Sequence, residues 1–233
     1  MPDQREPYPP PGIRLQAPPL RAGIAARLVA VLLGVLLSAC AGPQIYSTTQ
    51  VGEIKLTALE LKLGGLAFMT PSSTTGQEED KQALALTFTE VLKRLRPDLR
   101  VIPLPETLSA INNEGLAKDY RSMFEDYRLT GIFERELLES VARVAGVRYL
   151  AQLKLGGFRQ ESKNRWGTLG LRILETKSTT LRLFLQIWDS RDGSVAWEGA
   201  QEMTFSHDSI AEDTATFKGA VEQSARDLVS HLP

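Results

Sequence analysis

The chain has one cysteine, Cys40, and only two histidines, His207 and His231. A single thiol cannot close a disulfide within the chain, so the fold must be held by its core alone. With no CxxC, no HExxH and no Asp-rich calcium loop, nothing has the spacing of a resident metal site. Charge of one sign is also lacking, since 27 Lys and Arg stand against 28 Asp and Glu. Nucleic acid asks for a basic domain or stripe, and this balance offers none. No apolar run reaches the ~20 residues of a membrane-spanning helix. No unit of about 20–50 residues recurs, which excludes solenoids and propellers.

What is present is an apolar run of ten residues, Leu28 to Leu37 (LVAVLLGVLL), that ends in Leu37, Ser38, Ala39 and Cys40. Arg21 and Arg27 flank it on the amino side. A charged flank, a short apolar core and small residues at the cut are the three parts of a secretory signal. Ending on cysteine, the segment resembles a bacterial lipoprotein signal. That resemblance implies a diacylglycerol on the Cys40 sulfur, cleavage before Cys40, and acylation of the new amino terminus by palmitate or a similar chain. One acyl chain holds a protein marginally and two or more hold it stably, at about 0.8 kcal/mol per buried methylene. In enteric lipoproteins an Asp after the cysteine is the inner-membrane retention signal, and residue 41 here is Ala. The expected location is therefore the outer membrane, with the domain in the periplasm.

Before Arg21 lies a Pro-rich stretch that fits neither a helix interior nor a central strand. It is a long n-region, or else translation starts further on; both leave the mature chain unchanged. Four basic and two acidic residues precede Cys40, so the remainder is slightly acidic. The expected organisation is a signal peptide over residues 1–39, a lipidated tether over 40–53 and a single domain over 54–233. The tether reading rests on the small, polar, aperiodic run AGPQIYSTTQVG, about ten residues of which reach roughly 33 Å.

Within the domain, Leu59, Leu61 and Leu63 alternate with Glu60 and Lys62, predicting a strand over Ile54 to Phe68 with a bulge at Gly64 and Gly65. Residues 70–77 (TPSSTTGQ) read as a loop. Glu78 to Leu95 predicts a helix, with Leu84, Phe88, Val91, Leu92 and Leu95 recurring at helical spacing and Pro97 beyond its end. A short strand over Leu99 to Leu104 and a helical turn over Pro105 to Asn112 follow. Helices are predicted over Leu116 to Tyr127 and Glu134 to Val144, the second capped by Gly146. Val147 to Leu155 and Leu181 to Trp188 read as strands. Asp192 and Gly193 turn the chain into a hairpin with Val195 to Phe205, and Ile210 to Leu232 closes as a helix. This order predicts an α/β fold, one mixed β-sheet flanked by α-helices. Leu84, Phe88, Val91 and Leu92 should pack against Leu183 and Leu185. The other strand face, with Arg182, Phe184, Gln186 and Trp188, is half apolar and should be covered too.

Residues able to do chemistry do not form a site. Ser206, His207, Asp208 and Ser209 are chain neighbours and cannot converge as a triad, so they read as a strand end and a helix cap at Asp208 or Ser209. Glu134, Glu136 and Glu139 read as a solvated helix face. Gly156 and Gly157 read as turn or bulge glycines. No catalytic residue, cofactor or metal is expected, and the chain is not read as an enzyme. For partner contact, Gln160 to Gly170 (QESKNRWGTLG) is a charged insertion whose Trp166 either anchors an interface or folds back onto the sheet. Trp188 and Trp197 flank the hairpin turn and are expected to pack as cross-strand neighbours.

The segments GGLAF (64–68), GLAKDYRSMFEDYRLTGIFERELLESVARVAGVRYL (115–150) and LRLFLQIWDSRDGSVAWEG (181–199) resemble a family. It comprises bacterial lipoproteins whose domain is like the amino-terminal domain of TolB, including the curli-export lipoprotein CsgG and the penicillin-binding-protein activator LpoB. The motifs are fold markers, among them Gly146, Val147, Tyr149 and Leu150 leading into the third strand. The resemblance implies a lipid-anchored, non-catalytic lipoprotein that binds another cell-envelope protein as an assembly factor or activator. The alternative is a subunit of an outer-membrane export complex, and an oligomer is compatible with either. The pore former of that family adds membrane hairpins. Here the corresponding stretch, Phe158 to Thr179, holds seven charges, which oppose insertion.

Overall fold

Alternating burial organises the molecule. In β2 (Leu66–Phe68) and the residue after it, Leu66 and Phe68 enter one core while Ala67 and Met69 enter another. The computed structural model describes residues 44–53, 55–73, 78–166, 172–209 and 217–233. Cys40 and the segment before it lie outside these residues, as do Ile210 and Ala211.

The remaining strands are β1 (Gln44–Glu53), β3 (Ser72–Ser73), β4 (Val101–Ile102), β5 (Tyr149–Trp166), β6 (Arg172–Asp189) and β7 (Ser194–Ser209). They form one sheet in the order β1-β7-β6-β5-β2-β4, with β3 beside β5. The strands β4, β2 and β5 are parallel, and β5, β6, β7 and β1 are antiparallel. Six helices among the described residues flank it: α1 (Ala58–Gly64), α2 (Glu78–Leu95), α3 (Leu104–Asn113), α4 (Ala117–Thr130), α5 (Arg135–Ala145) and α6 (Phe217–Ser230). This is the expected α/β fold with a single mixed sheet. None of these helices is long and apolar enough to cross a membrane.

Two cores follow from the two faces. On one, Leu84, Phe88, Val91 and Leu92 of α2 and Ala220, Val221, Ala225 and Leu228 of α6 pack with Leu153, Leu181, Leu183, Leu185 and Ile187. Of the predicted stripe of α2, Leu84, Phe88, Val91 and Leu92 are buried with Leu183 and Leu185, whereas Leu95 in the last turn is exposed. On the other, Ile111, Met123, Leu138, Val141 and Ala142 from α3, α4 and α5 pack with Ala67, Leu150 and Trp188. Gly146 ends α5 in the left-handed conformation (φ 68°, ψ 33°), as its position predicts. The register shifts between Leu155 and Gly157, so the bulge reading holds. A Cβ on Gly156 would lie 2.9 Å from the Phe184 ring, which is why glycine sits there.

Several expectations are corrected. Residues Gln44–Glu53 are not a tether but the edge strand β1, paired over ten residues with β7. Side chains fasten it: Gln201 Nε2 donates to Ser47 Oγ (2.5 Å) and Asp227 Oδ2 (3.0 Å), Ser47 Oγ donates to Asp227 Oδ2 (3.0 Å), and the Thr49 hydroxyl donates to Gln201 Oε1. The alternating leucines belong to α1, not to a strand. Glu60 N donates to Thr57 Oγ1 and Thr57 N to Glu60 Oε2, a capping box that starts a helix. Only Leu61 is then buried, while Leu59 and Leu63 are exposed.

The charged insertion is ladder, not loop, through Trp166. Gln160 to Arg165 pair with Thr179 to Leu174, and Trp166 pairs with Arg172. Asp208 and Ser209 lie on β7, paired with Thr176 and Glu175 of β6, and do not cap α6, which begins at Phe217. Trp188 and Trp197 are not neighbours. A register shift follows Ile187, Trp197 enters the α2/α6 core, and Trp188 enters the other, 5.2 Å from Phe133. The half-apolar strand face is covered at the Trp188 end only: Gln186 is half-buried, whereas Arg182 and Phe184 are exposed.

Candidate functional site

The chain leaves β2 toward the α2 side of the sheet, while α3 to α5 return over the opposite face to β5. Crevices at the carboxyl ends of strands form where connections part in this way. Here a cleft of about 800 Å³ opens between the segment after β2, helix α4 and β5.

Its floor is fixed by hydrogen bonds. Thr70 N donates to the Tyr120 hydroxyl (2.8 Å), which donates in turn to Thr70 Oγ1 (3.1 Å). Buried Gln152 donates through Nε2 to Ser72 Oγ (3.0 Å). Burial pushes the Tyr120 phenol up to about 12, against the opposing effect of its Thr70 hydrogen bonds. Aromatic rings form one wall: Tyr120 meets Phe124 edge-on at 4.9 Å, and Tyr127 stacks on Phe133 at 4.0 Å. The Tyr127 hydroxyl donates to Gln186 Oε1 (3.0 Å), pinning α4 to the sheet.

The rim is cationic. Among the described residues, Lys81 of α2, Arg121 and Arg128 of α4 and Lys154 of β5 line the cleft with one carboxylate, Glu125, which lies 3.8 Å from Arg121. Lys154 sits 6.0 Å above the Phe184 ring. At the end of α4, Gly131 adopts φ 74° and Ile132 N donates to Thr130 Oγ1 (3.1 Å). That turn presents Leu129 and Ile132 to solvent, 81% and 63% exposed.

A second polar cluster clamps strands together. Arg148 grips Asp189 through Nε (3.0 Å to Oδ2) and Nη2 (2.5 Å), and its Nη1 lies 3.5 Å from Glu60 Oε1. The bonds to Asp189 raise the Arg148 pKa, and the Thr57 hydroxyl chiefly lowers that of Glu60. Every partner is supplied from within, as in a structural clamp.

The residues singled out from sequence do not meet in the cleft. Cys40 lies outside the described residues, and Trp166 ends β5 opposite Arg172. His207 lies on β7 opposite Lys177 of β6, and His231 approaches Asp227 O (2.7 Å) at the end of α6. Glu134, Glu136 and Glu139 are exposed, and among the described residues no three such side chains gather to hold a cation. Sequence reading missed the cleft because its cations come from three separate elements. The only local signal was a small polar tract, Thr70 to Ser73, directly after a buried strand.

Neither a family model nor a characterised sequence matches the chain. Solved structures similar to it include the PelC dodecamer from Paraburkholderia phytofirmans, at 13% identity over 80% of this chain and 97% of that one, with a TM-score of 0.47. Lipoprotein GNA1162 from Neisseria meningitidis is 14% identical over 72% of this chain and 98% of that one, with a TM-score of 0.41. A protein from Xanthomonas campestris is 12% identical over 72% and 80%, with a TM-score of 0.30.

Proposed function

We propose that this chain is a lipid-anchored, non-catalytic lipoprotein of the bacterial envelope that binds another envelope protein as an assembly factor or activator. The observation that carries this reading is the apolar run from Leu28 closing on the chain's only cysteine, Cys40, behind Arg21 and Arg27. Ala41 favours the outer membrane, with the domain in the periplasm. The resemblance to the CsgG and LpoB group belongs to the same reading, as do Leu129 and Ile132, aliphatic side chains held out on a fixed turn.

Fatty-acid labelling in a bacterial host tests the anchor. The wild-type protein should take up label and partition into the detergent phase, and Cys40→Ser should do neither. Cross-linking in intact cells, followed by mass spectrometry of the adduct, then tests the partner. A wild-type protein free of acyl groups would end the lipoprotein reading, and a protein that forms no envelope adduct would end the partner reading.

One observation favours the export subunit as a second reading. Beyond the buried core residues Leu155 and Leu181, the ladder of β5 and β6 runs on to Trp166 and Arg172. A pore former lengthens such a hairpin.

A further inference from the structure

We infer that the cleft between α4 and β5 binds an extended acidic peptide segment that carries aliphatic side chains, supplied by the envelope partner. The inference rests on the proposed partner-binding role and adds where and by what chemistry the partner is held.

Charge selects the ligand first. Arg128 and Lys154 line the opening beside Lys81 and the Arg121–Glu125 pair, and Glu125 is the one carboxylate among the described residues of the lining. An anion is therefore drawn in, and a cationic segment is repelled. Shape comes next. Arg121 and Arg128 stand seven residues apart on α4, about 10 Å along the helix at 1.5 Å per residue. Three residues of extended chain, at about 3.3 Å each, span the same distance. Acidic side chains on alternate residues of such a segment share one face, which would meet the cations lining the cleft.

The third feature separates peptide from other polyanions. Leu129 and Ile132 follow Arg128 on a turn held by Gly131 N to Tyr127 O (2.7 Å) and Ile132 N to Thr130 Oγ1 (3.1 Å). These exposed aliphatics, next in the chain to the lining residues Arg128 and Gly131, suit Leu or Val side chains beside the carboxylates. An acidic sugar has no group to place there. The floor is already made, because Tyr120 and Gln152 hold Thr70 and Ser72 in position. Little ordering is needed on binding, which favours affinity.

The test uses the full lipidated chain in detergent micelles and a fluorescein-labelled hexapeptide of alternating glutamate and leucine, read by fluorescence anisotropy. Saturable binding that weakens with salt is expected. The double variant Arg128→Glu/Lys154→Glu should weaken it at least about tenfold, the equivalent of 1.4 kcal/mol, and Leu129→Ser/Ile132→Ser should weaken it several-fold. Reversal of Arg226, which pairs with Glu222 on α6, should leave binding unchanged. Circular dichroism checks the fold, and Arg128→Gln/Lys154→Gln replaces the reversal if that variant unfolds. Absence of saturable binding, or equal weakening by Arg226→Glu, overturns the inference. So does displacement of the peptide by oligogalacturonate at lower concentration than by unlabelled peptide, which would make the cleft a site for acidic sugars. If wild-type protein forms an envelope adduct in cells and the reversed variant forms it equally, the cleft assignment fails while the partner reading stands. If the wild type forms none, the partner reading itself fails.

Discussion

Tyr149 is sealed within the fold and Tyr120 is half-buried at the cleft, and burial pushes each phenol up to about 12, with the Arg148 guanidinium opposing the rise at Tyr149. In the unfolded chain both ionise near 10. Because the folded values are raised, their contribution to stability is complete below pH 10 and is lost as the pH climbs toward 12. Alkaline stability should fall through that window. An absorbance titration of the five tyrosines should show a late step, and Tyr120→Phe should remove part of it. If Tyr120→Phe leaves the late step at full amplitude, that phenol is open to water and the cleft floor is not closed as described. At this scale Arg148 is also informative: two carboxylates, Asp189 and Glu60, meet its one positive charge and leave none to offer a ligand.

At the scale of elements, β1 is held by the polar set Ser47, Thr49, Gln201 and Asp227 rather than by a dry face. Gln201 is fully buried, and removing its amide strands the groups it serves, at a cost of about 1–3 kcal/mol. Gln201→Leu should therefore speed hydrogen exchange at Tyr46 to Val51 while α2 stays protected. Equal loss of protection in both would show that β1 does not loosen on its own. This also explains what was legible in the sequence. Helix α2 was read to its ends because acidic residues, an apolar stripe and Pro97 all agree over 18 residues. Strand β6 at the sheet centre was read because one face, Leu181, Leu183, Leu185 and Ile187, is entirely leucine and isoleucine. Strand β1 and the outer half of β5 were not, since period-two patterning shows only where one face is dry. Helix α1 was misread because three leucines alternate by accident, while the capping box of Thr57 and Glu60 decides the conformation. The cleft was illegible for a different reason: its four cations are spread from residue 81 to 154, and only the fold brings them together.

At the scale of the molecule, the β5–β6 ladder bears on the choice between partner binding and export. Arg159, Glu161, Lys163 and Arg165 occupy alternate positions of β5, on one face of the ladder. Glu175 and Lys177 occupy positions of the other face. A membrane strand needs one face apolar, and each charge at the bilayer midplane costs about 2–4 kcal/mol. With charges at positions on both faces, insertion is opposed whichever face meets lipid. The lipidated protein should therefore give no channels in a planar bilayer. Reproducible conductance that vanishes on deleting residues 160–177 would decide for the export subunit.

The placement of β1 also has a mechanical consequence. Only three residues separate Cys40 from Gln44, so an anchor at Cys40 is within about 14 Å of the ladder, not the 33 Å that a free tether would allow. Gln44 pairs with Ser206, at the far end of β7 from Trp197 and its core. Tension between an anchored terminus and the bulk of the domain then runs along β1, not across it. The ten residue pairs of that strand would be loaded together in shear, sharing the force, where a pull from the Glu53 end would open them one at a time like a zip.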